Sequence, residues 1–409
     1  ITIGASGDTI TIPSGATLAN NGTATGFGLT TQSVQTTGFT AVKGNLYPCD
    51  TTSTAFTVTL PASASVGDQI QIVDYAGTFA TNNLTINPNG LKIQTDTGNR
   101  IIATNRIALT FTYIDSTQGW LLSSGYKEEA DGFYVAPYDI DFLVVAGGGG
   151  GGGGSQPGGG GAGGFRTSTQ TSIPGGTAIT VIVGDGGTGA TGFGVDGNNA
   201  TQGSDSSISG SGLTTITSAG GGKGSSQAVG GDGGSGGGGS RAGRAGGSGN
   251  TPSTSPSQGN NGGSGAEGAP QYGAGGGGGA GAVGANGSTS AGGNGGNGTA
   301  SSITGSSVTY SGGGGGGTLN TTGGSGGTGG GGNSPASGTS GVAGTANTGG
   351  GGGAGTESTG GAGGKGVVIL SVPDANYSGT TTGSPTVDVN AGGTGKTVLT
   401  FTGSGSYTS

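Results

Sequence analysis

The distribution of glycine constrains the fold of this chain more than any other feature of its sequence. Glycine accounts for 112 of the 409 residues, and 90 of these glycines fall among the 220 residues from 147 to 366. Fixing the backbone of one residue costs roughly 1–2 kcal/mol, and glycine loses more freedom than any other residue. An ordered structure for residues 147–366 therefore requires a stabilising interaction that glycine permits and other residues do not.

Three structures compete for this segment. A flexible Gly/Ser linker is the simplest, but the segment is long and contains embedded strand patterns. A collagen triple helix needs glycine at every third position and at least roughly 15–20% proline, whereas this chain has 13 prolines and uninterrupted glycine runs such as 275–279. The third structure is a bundle of polyglycine helices in the extended threefold conformation, whose amides point sideways and bond to neighbouring helices.

The spacing of the other residues favours the polyglycine bundle. A Cβ would hold neighbouring backbones apart, so side chains are expected only on exposed faces of the bundle, and residues three apart share a face. Such registers occur at Asp232, Ser235, Arg241 and Arg244, at Val342, Thr345 and Thr348, at Asn294 and Asn297, and at Ser325 and Thr328.

The rest of the sequence predicts β-structure. Apolar and polar residues alternate in short runs that are separated by Gly, Pro, Asn and Asp turn signals. The predicted fold class is all-β plus a polyglycine II-type helix bundle, with essentially no α-helix. The predicted domains are a short-strand β-repeat shaft (1–45), a small β-sandwich or barrel (46–126), a hinge (127–140) and a glycine-rich domain (141–409), which comprises the bundle (147–366) and closing β-strands (367–409).

The shortage of apolar residues predicts a homotrimer. Hydrophobic residues make up only 28% of the chain, and strands as short as those in residues 1–45 bury too little surface to be stable alone. Three chains that share their apolar faces would solve this problem. Trp120 is expected to fill the core of the β-module. Cys49 is interpreted as a buried free thiol rather than an interchain disulfide.

Composition argues against several function classes. The chain contains no His, so a Ser-His-acid triad cannot form, and Cys49 alone cannot build a zinc site. The net charge of −8 argues against nucleic-acid binding, and no apolar run is long enough for membrane insertion. We therefore expect a protein that is not an enzyme and that has no cofactor and no metal.

Two sequence patterns suggest chemistry but are better explained structurally. Residues 392–397 (Gly-Gly-Thr-Gly-Lys-Thr) resemble a phosphate-binding loop, but Asn390 stands where the pattern requires Gly, and a strand pattern follows instead of a helix. A glycine-rich turn is the better interpretation. The carboxylate pairs, Glu128 with Glu129 and Asp139 with Asp141, are interpreted as solvated hinge charges because nothing nearby would shift their pKa values.

Binding is the remaining function class. The non-glycine interruptions of the bundle are rich in Ser, Thr, Asn and Gln with occasional aromatic residues, which hydrogen-bond to sugars and stack on them. Arginines at such positions suit anionic glycan or phosphate groups. The candidate receptor-contact residues are Phe193, Asn198, Asn199, Arg241, Arg244, Tyr272, Asn320 and Asn333.

Several segments carry a resemblance to a known family. Residues 142–146 (Phe-Leu-Val-Val-Ala) precede a long glycine run, and residues 162–166 (Ala-Gly-Gly-Phe-Arg) follow a second one. With residues 173–177 and 181–184, they resemble the glycine-rich C-terminal domain of phage tail-fibre proteins. The ending, from 383–387 to 401–405, is similar to that family's closing hairpin, and residues 55–122 resemble a β-module of such fibres.

The resemblance implies a trimeric, extracellular virion tail fibre whose distal end attaches to the host cell surface. The implied partners are a host cell-surface glycan or outer-membrane protein, further copies of the chain, and other tail or baseplate proteins that are reached through a missing N-terminal part. In related adhesins, the loops that connect polyglycine helices determine specificity. Two alternatives stay open: a structural fibre spacer or baseplate component without a receptor role, and a bacterial surface adhesin.

Overall fold

The computed structural model describes residues 28–124, 137–191, 199–268, 272–319 and 323–409. The chain divides into two compact units, Ile1–Val135 and Ala136–Ser409. Residues 1–27 of the predicted shaft and most of the predicted hinge lie outside the described residues. The prediction of an all-β protein is confirmed, since the described residues contain β-strands and two short 3-10 turns but no α-helix.

The first unit is a sandwich of two open sheets, with strand orders β1-β3-β5-β8-β9 and β2-β4-β6-β7. Residues 28–45, which fall within the predicted shaft segment, contribute β1 and β2. The sheets do not close into a barrel. The strands are β1 (Thr30–Thr31), β2 (Phe39–Thr40), β3 (Asn45–Cys49), β4 (Phe56–Thr59), β5 (Gln69–Asp74), β6 (Leu84–Asn87), β7 (Arg100–Ile102), β8 (Ala108–Asp115) and β9 (Gly119–Ser124).

The first six strands of this unit wind as a short two-sided solenoid. The odd-numbered strands pair in parallel in one sheet and the even-numbered strands pair in parallel in the other. The chain therefore crosses between the sheets after every strand. Strands β7 to β9 then add in antiparallel fashion. This alternation places apolar side chains from both sheets in one core.

The core position predicted for Trp120 is confirmed, and Cys49 is buried as predicted. Trp120 is fully buried and its ring meets that of Tyr113 edge-on, with 5.5 Å between the ring centroids. Cys49 is fully buried in the same core as a free thiol. The buried carboxylate of Asp74 accepts backbone N–H groups of Gly77 at 2.9 Å and Arg106 at 2.9 Å. These bonds hold two loops against the core.

The second unit contains another sandwich, formed by the sheets β12-β10-β19-β22-β21 and β15-β14-β13-β23-β20. Its elements are β10 (Tyr138–Val145), β11 (Gly153–Gly154), β12 (Phe165–Ile173), β13 (Ala178–Ile182), β14 (Ser206–Ser209), β15 (Ile216–Ser218), β16 (Thr299–Ser301), β17 (Val308–Tyr310), β18 (Gly355–Thr356), β19 (Val367–Pro373), a 3-10 turn (Asp374–Asn376), β20 (Thr381–Thr382), β21 (Thr386–Asp388), a second 3-10 turn (Ala391–Gly393), β22 (Lys396–Phe401) and β23 (Gly405–Thr408).

The central strands β10 and β19 of this first sheet are covered on both faces. Phe142 and Leu370 on one face pack against Val181 and Tyr407 of the second sheet. On the other face, β10 and β19 residues pack with Tyr310 of the β16–β17 hairpin. Strand segments that are covered on both sides must be apolar, which explains the unbroken apolar runs at residues 142–145 of β10 and 367–370 of β19.

Glycine segments leave this sandwich from the strand ends and bond to one another as a lattice. In residues 147–152, successive amides point to three different neighbours, and amides three residues apart return to the same neighbour, as a threefold helix requires. We call each such segment a glycine helix. The six N–H groups of 147–152 donate in turn to Ser204, Gly364, Gly161, Thr201, Gly361 and Gly158, and the six carbonyls accept from Gly221, Gly187, Gly352, Gly224, Ala190 and Gly355, all at 2.8–3.0 Å.

This helix therefore has six neighbours: it donates to three antiparallel helices and accepts from three parallel ones. The same six-neighbour bonding surrounds residues 157–163, 274–279 and 312–317. Backbone hydrogen bonds in three dimensions thus replace an apolar core. The polyglycine bundle predicted for 147–366 is present in the described residues.

Glycine is required by contact between backbones. A Cβ on Gly148 would overlap the carbonyl oxygen of Gly350, and one on Gly151 would overlap that of Gly353. The overlap at Gly314 falls on the carbonyl of Gly352 in the same way. In all three cases the distance from the added Cβ to the carbonyl oxygen is below 3.0 Å, and real Cβ atoms essentially never come that close to another atom. No side chain fits at these positions without separating two helices.

At the lattice surface, side-chain oxygens accept the backbone N–H groups that have no neighbouring helix to bond to. Where an outer helix has no further helix to bond, a side-chain carbonyl or carboxylate accepts its outward amide. The Oδ1 atoms of Asn199, Asp205, Asp232, Asn261, Asn286, Asn294, Asn297 and Asn333 accept the amides of Thr191, Gly220, Ser248, Gly249, Ser264, Ser325, Thr328 and Gly326, respectively, at 2.6–3.1 Å.

One predicted register is wrong. Ser235 is fully buried, although its spacing predicted an exposed face. Asp232 and Arg241 lie on different helices, since the N–H of Gly237 donates to the carbonyl of Gly231 across a fold-back of the chain. The chain reverses again at Ala242, whose φ is +62°. A three-residue spacing in the sequence therefore does not ensure one shared face when a turn intervenes.

Candidate functional site

The candidate site is the end of the glycine lattice opposite the sandwich, which we call the far end. Glycine helices leave the sandwich after β10, β13, β15 and β17 and return to it before β12, β14, β16 and β19. Each outward helix must therefore reverse at the far end. With a rise of about 3.1 Å per residue, the helix at 147–154 carries its turn roughly 20 Å from the sandwich.

Lateral hydrogen bonds join the far-end turns into one surface. The N–H of Arg241 donates to the carbonyl of Gln156 at 3.3 Å, and the N–H of Glu357 donates to Gly154 at 2.7 Å. Ser337 Oγ donates to the carboxylate of Glu357 at 2.6 Å. Turns that are distant in the sequence are thereby held side by side.

Three of the candidate residues lie on two neighbouring turns, which we call the cluster. Arg241 and Arg244 flank a reversal in which Ala242 and Gly243 adopt positive φ angles of +62° and +66°. The N–H of Ala242 donates to Ala266, whose own N–H donates to Gly273 beside Tyr272, at 2.9 and 2.8 Å. The structure thus brings Arg241, Arg244 and Tyr272 together through the segment at 265–266.

The cluster combines cations with hydrogen-bonding groups. Arg244 is exposed and Arg241 is half-buried, and within the described residues neither forms an ion pair. The carboxylate of Glu267 lies against the backbone of Gly243. Tyr272 is half-buried with a φ of +47°. Guanidinium and phenol groups on neighbouring turns are suited to hydrogen bonding and stacking with a polar ligand.

The remaining described candidates have structural partners. Asn199 Oδ1 accepts the N–H of Thr191 at 2.8 Å, and its amide donates to the Thr191 hydroxyl at 2.8 Å. These bonds join Thr191 and Asn199 to each other. Asn333 Oδ1 accepts the N–H of Gly326 at 2.8 Å. Both residues are exposed, but their Oδ1 atoms accept backbone N–H groups at the edge of the lattice.

Three candidates, Phe193, Asn198 and Asn320, lie outside the described residues. Among the predicted loops, residues 249–258 do not reach the far end. The N–H of Thr251 donates to Gly233, and Ser255 to Ser257 lie beside β12 at the sandwich. This loop therefore belongs to the opposite end of the lattice.

The sequence interpretation missed two far-end residues. Val229 is 57% exposed in the turn that follows residues 219–225. Gln156 is 1% exposed with a φ of +42°, and its Oε1 has no hydrogen-bond partner among the described residues. Both lie in short breaks between glycine helices. Each interruption between two glycine helices must contain a turn. The non-glycine interruptions that identified the longer loops therefore also identify the short turns with Gln156 and Val229.

The two patterns with apparent chemistry are structural. Lys396 opens β22 and pairs with Asp141 of β10, so the loop-like residues 392–397 form a turn and a strand. Partial burial raises the pKa of Asp141, but hydrogen bonds from Lys396 and Thr169 outweigh it and lower that pKa. The interpretation of Asp139 and Asp141 as hinge charges is wrong, because both lie in β10.

Together, the fold and the far end define an all-β protein in which a sandwich carries a lattice of polyglycine helices with turns at one end. No helix among the described residues is long and apolar enough to cross a membrane. The family model described as a glycine-rich domain matches residues 132–373. The chain belongs to this glycine-rich domain family, as its glycine-rich segments predicted. No curated protein matches the sequence.

Proposed function

We propose that this chain is a virion tail-fibre protein that attaches to the host cell surface through the far end of its glycine lattice. The observation that carries the proposal is the convergence of many sequence-distant turns on one surface. The lattice bonds fix the backbone of each turn at both ends. Rigid support with variable connecting residues is the arrangement on which binding loops are typically presented.

The proposed receptor contacts are Arg241, Arg244, Tyr272 and Val229. The two arginines lack carboxylate partners among the described residues, and Val229 exposes an apolar side chain beside them. A receptor with anionic or hydroxyl groups next to an apolar patch suits this combination. A host glycan or the polar loops of an outer-membrane protein meet that description. The homotrimer remains part of this proposal.

The test is retention of the full-length chain by bacterial cells. Fluorescently labelled chain is applied to a panel of Gram-negative and Gram-positive strains and measured by flow cytometry. We expect retention by a narrow set of strains. The double variant Arg241→Gln/Arg244→Gln is expected to weaken binding about tenfold or more, since charge-assisted hydrogen bonds contribute about 1.5–3 kcal/mol each.

Matched controls separate receptor contact from general surface effects. Val229→Ala is compared with Val283→Ala, because Val283 is 62% exposed but lies towards the sandwich. Lys365→Gln controls for the loss of a cation. Equal binding by all variants would show that the receptor site does not lie at the far end. Retention by no strain would favour a spacer role, and immunogold labelling of cell surfaces rather than virions would favour a bacterial adhesin.

A further inference from the structure

The edge strand β12 has a free hydrogen-bonding side. β12 pairs with β10, and the N–H of Phe165 points away from β10 to the carbonyl of Gln258 at 2.9 Å. Amide directions alternate along an antiparallel strand. The backbone groups of Thr167, Thr169 and Thr171 therefore point to the same outer side as that of Phe165. Within the described residues, no backbone hydrogen bond occupies them there.

A groove of about 550 Å³ runs along this free side. Its floor includes Phe142 and residues 165–171 of β12, and its walls are the turn at 212–216 and the loop at 255–257. The volume lies within the roughly 300–1,000 Å³ of ligand-binding clefts. The walls leave the strand edge open between them. The groove belongs to the sandwich and is separate from the far end.

The residues that line the groove indicate which kind of ligand it binds. Proteins usually protect an edge strand with lysine, proline or a covering segment, and β12 contains neither lysine nor proline. Raised walls on both sides suit a single extended chain better than the edge of a second sheet. Among the described residues that line the groove, Arg166 alone is charged, and it donates to the carbonyl of Thr217 at 3.2 Å.

We propose that this groove binds an extended, mostly uncharged peptide segment of a partner protein, which adds to β12 as a further strand. Main-chain bonds to Thr167, Thr169 and Thr171 supply affinity, as in other cases of strand addition. A carboxylate of the peptide lies beside Arg166. The proposal does not depend on a receptor role of the far end.

The test uses a random heptapeptide display library selected on the full-length chain. We expect enrichment of β-branched peptides with one acidic residue. In the variant Thr169→Pro, the outward N–H is lost while pairing with β10 remains, because proline is tolerated where the edge N–H faces outward. Binding of the enriched peptides is expected to fall about tenfold in Thr169→Pro, the equivalent of about 1.4 kcal/mol.

The controls keep the outcome unambiguous. Thr169→Val retains the amide and is expected to bind within about twofold of the parent chain, since only the side chain changes. Arg166→Gln should weaken acidic peptides selectively. N-methylation of alternate peptide amides tests the same bonds without altering the protein. Failure to enrich peptides, equal binding by Thr169→Pro, or concentration-dependent pairing of two chains through β12 in sedimentation would each overturn the proposal.

Discussion

At the scale of single residues, burial determines the chemistry of Cys49. Desolvation raises the pKa of its thiol from 9.0 to about 12, and the nearby charge of Asp74 adds to this effect. The thiolate is the reactive form of cysteine, so a buried thiol with a raised pKa is inert. This agrees with the interpretation of Cys49 as a structural residue of the first core.

We expect the thiol reagent 5,5′-dithiobis(2-nitrobenzoate) to leave Cys49 unmodified in the native chain and to modify it after unfolding in urea. A raised pKa in the folded state also means that the folded chain binds more protons above pH 9. The free energy of unfolding should therefore fall between about pH 9 and 12 by up to about 1.4 kcal/mol per unit. Cys49→Ala should lack this component, and parallel pH profiles of the two proteins would contradict it.

At the scale of elements, the glycine helix depends on the absence of Cβ atoms, and the turn between β22 and β23 does not. Gly314 contacts the backbone of Gly352, and its amide donates to the carbonyl of Gly160 at 2.8 Å. Gly403, near the end of β22, has no atom within 4 Å of its would-be Cβ. The same chemical change should therefore have opposite consequences at the two positions.

Gly314→Ala is expected to destabilise the second unit by at least about 3 kcal/mol, because overpacking here meets backbone that cannot move aside. Gly403→Ala is expected to be neutral or to stabilise by up to about 1 kcal/mol, through a smaller loss of chain entropy on folding. Calorimetric unfolding of the full chain measures both. Similar transition temperatures for the two variants would show that the lattice tolerates side chains.

At the scale of the whole molecule, the two units are stabilised differently. The first unit has a conventional apolar core around Trp120. The second combines an apolar sandwich with a lattice whose interior is backbone hydrogen bonds. Exposure of apolar surface raises the heat capacity of unfolding and exposure of polar surface lowers it. The lattice must therefore contribute little to the heat-capacity change.

We expect the heat-capacity change of unfolding for the full chain, measured by scanning calorimetry, to lie below the usual roughly 12–15 cal/mol/K per residue. Amide hydrogen exchange should nevertheless show strong protection in residues 147–152, because all six amides are bonded. A heat-capacity change in the usual range would indicate an apolar interior. Rapid exchange of these amides would indicate an unstructured linker.

Local patterns in the sequence predicted much of the fold. Alternation located β4, β5, β6, β8 and β9, and the apolar runs located β10 and β19, because both signals arise from neighbours along the chain. The parallel winding of the first unit was not predictable, since strand order depends on contacts between distant segments. The far-end candidates followed from breaks in the glycine runs, but the break at 249–258 lies at the sandwich.

The distribution of glycine alone requires the segment 147–366 to pack backbone against backbone, because a segment so rich in glycine has no other interior to build. It also determined where the helices are interrupted. Which interruptions share a surface cannot be read from the sequence, since it depends on the direction in which each helix leaves the sandwich. The proximity of the turns that carry Arg241 and Tyr272 and the open side of β12 are both consequences of that packing.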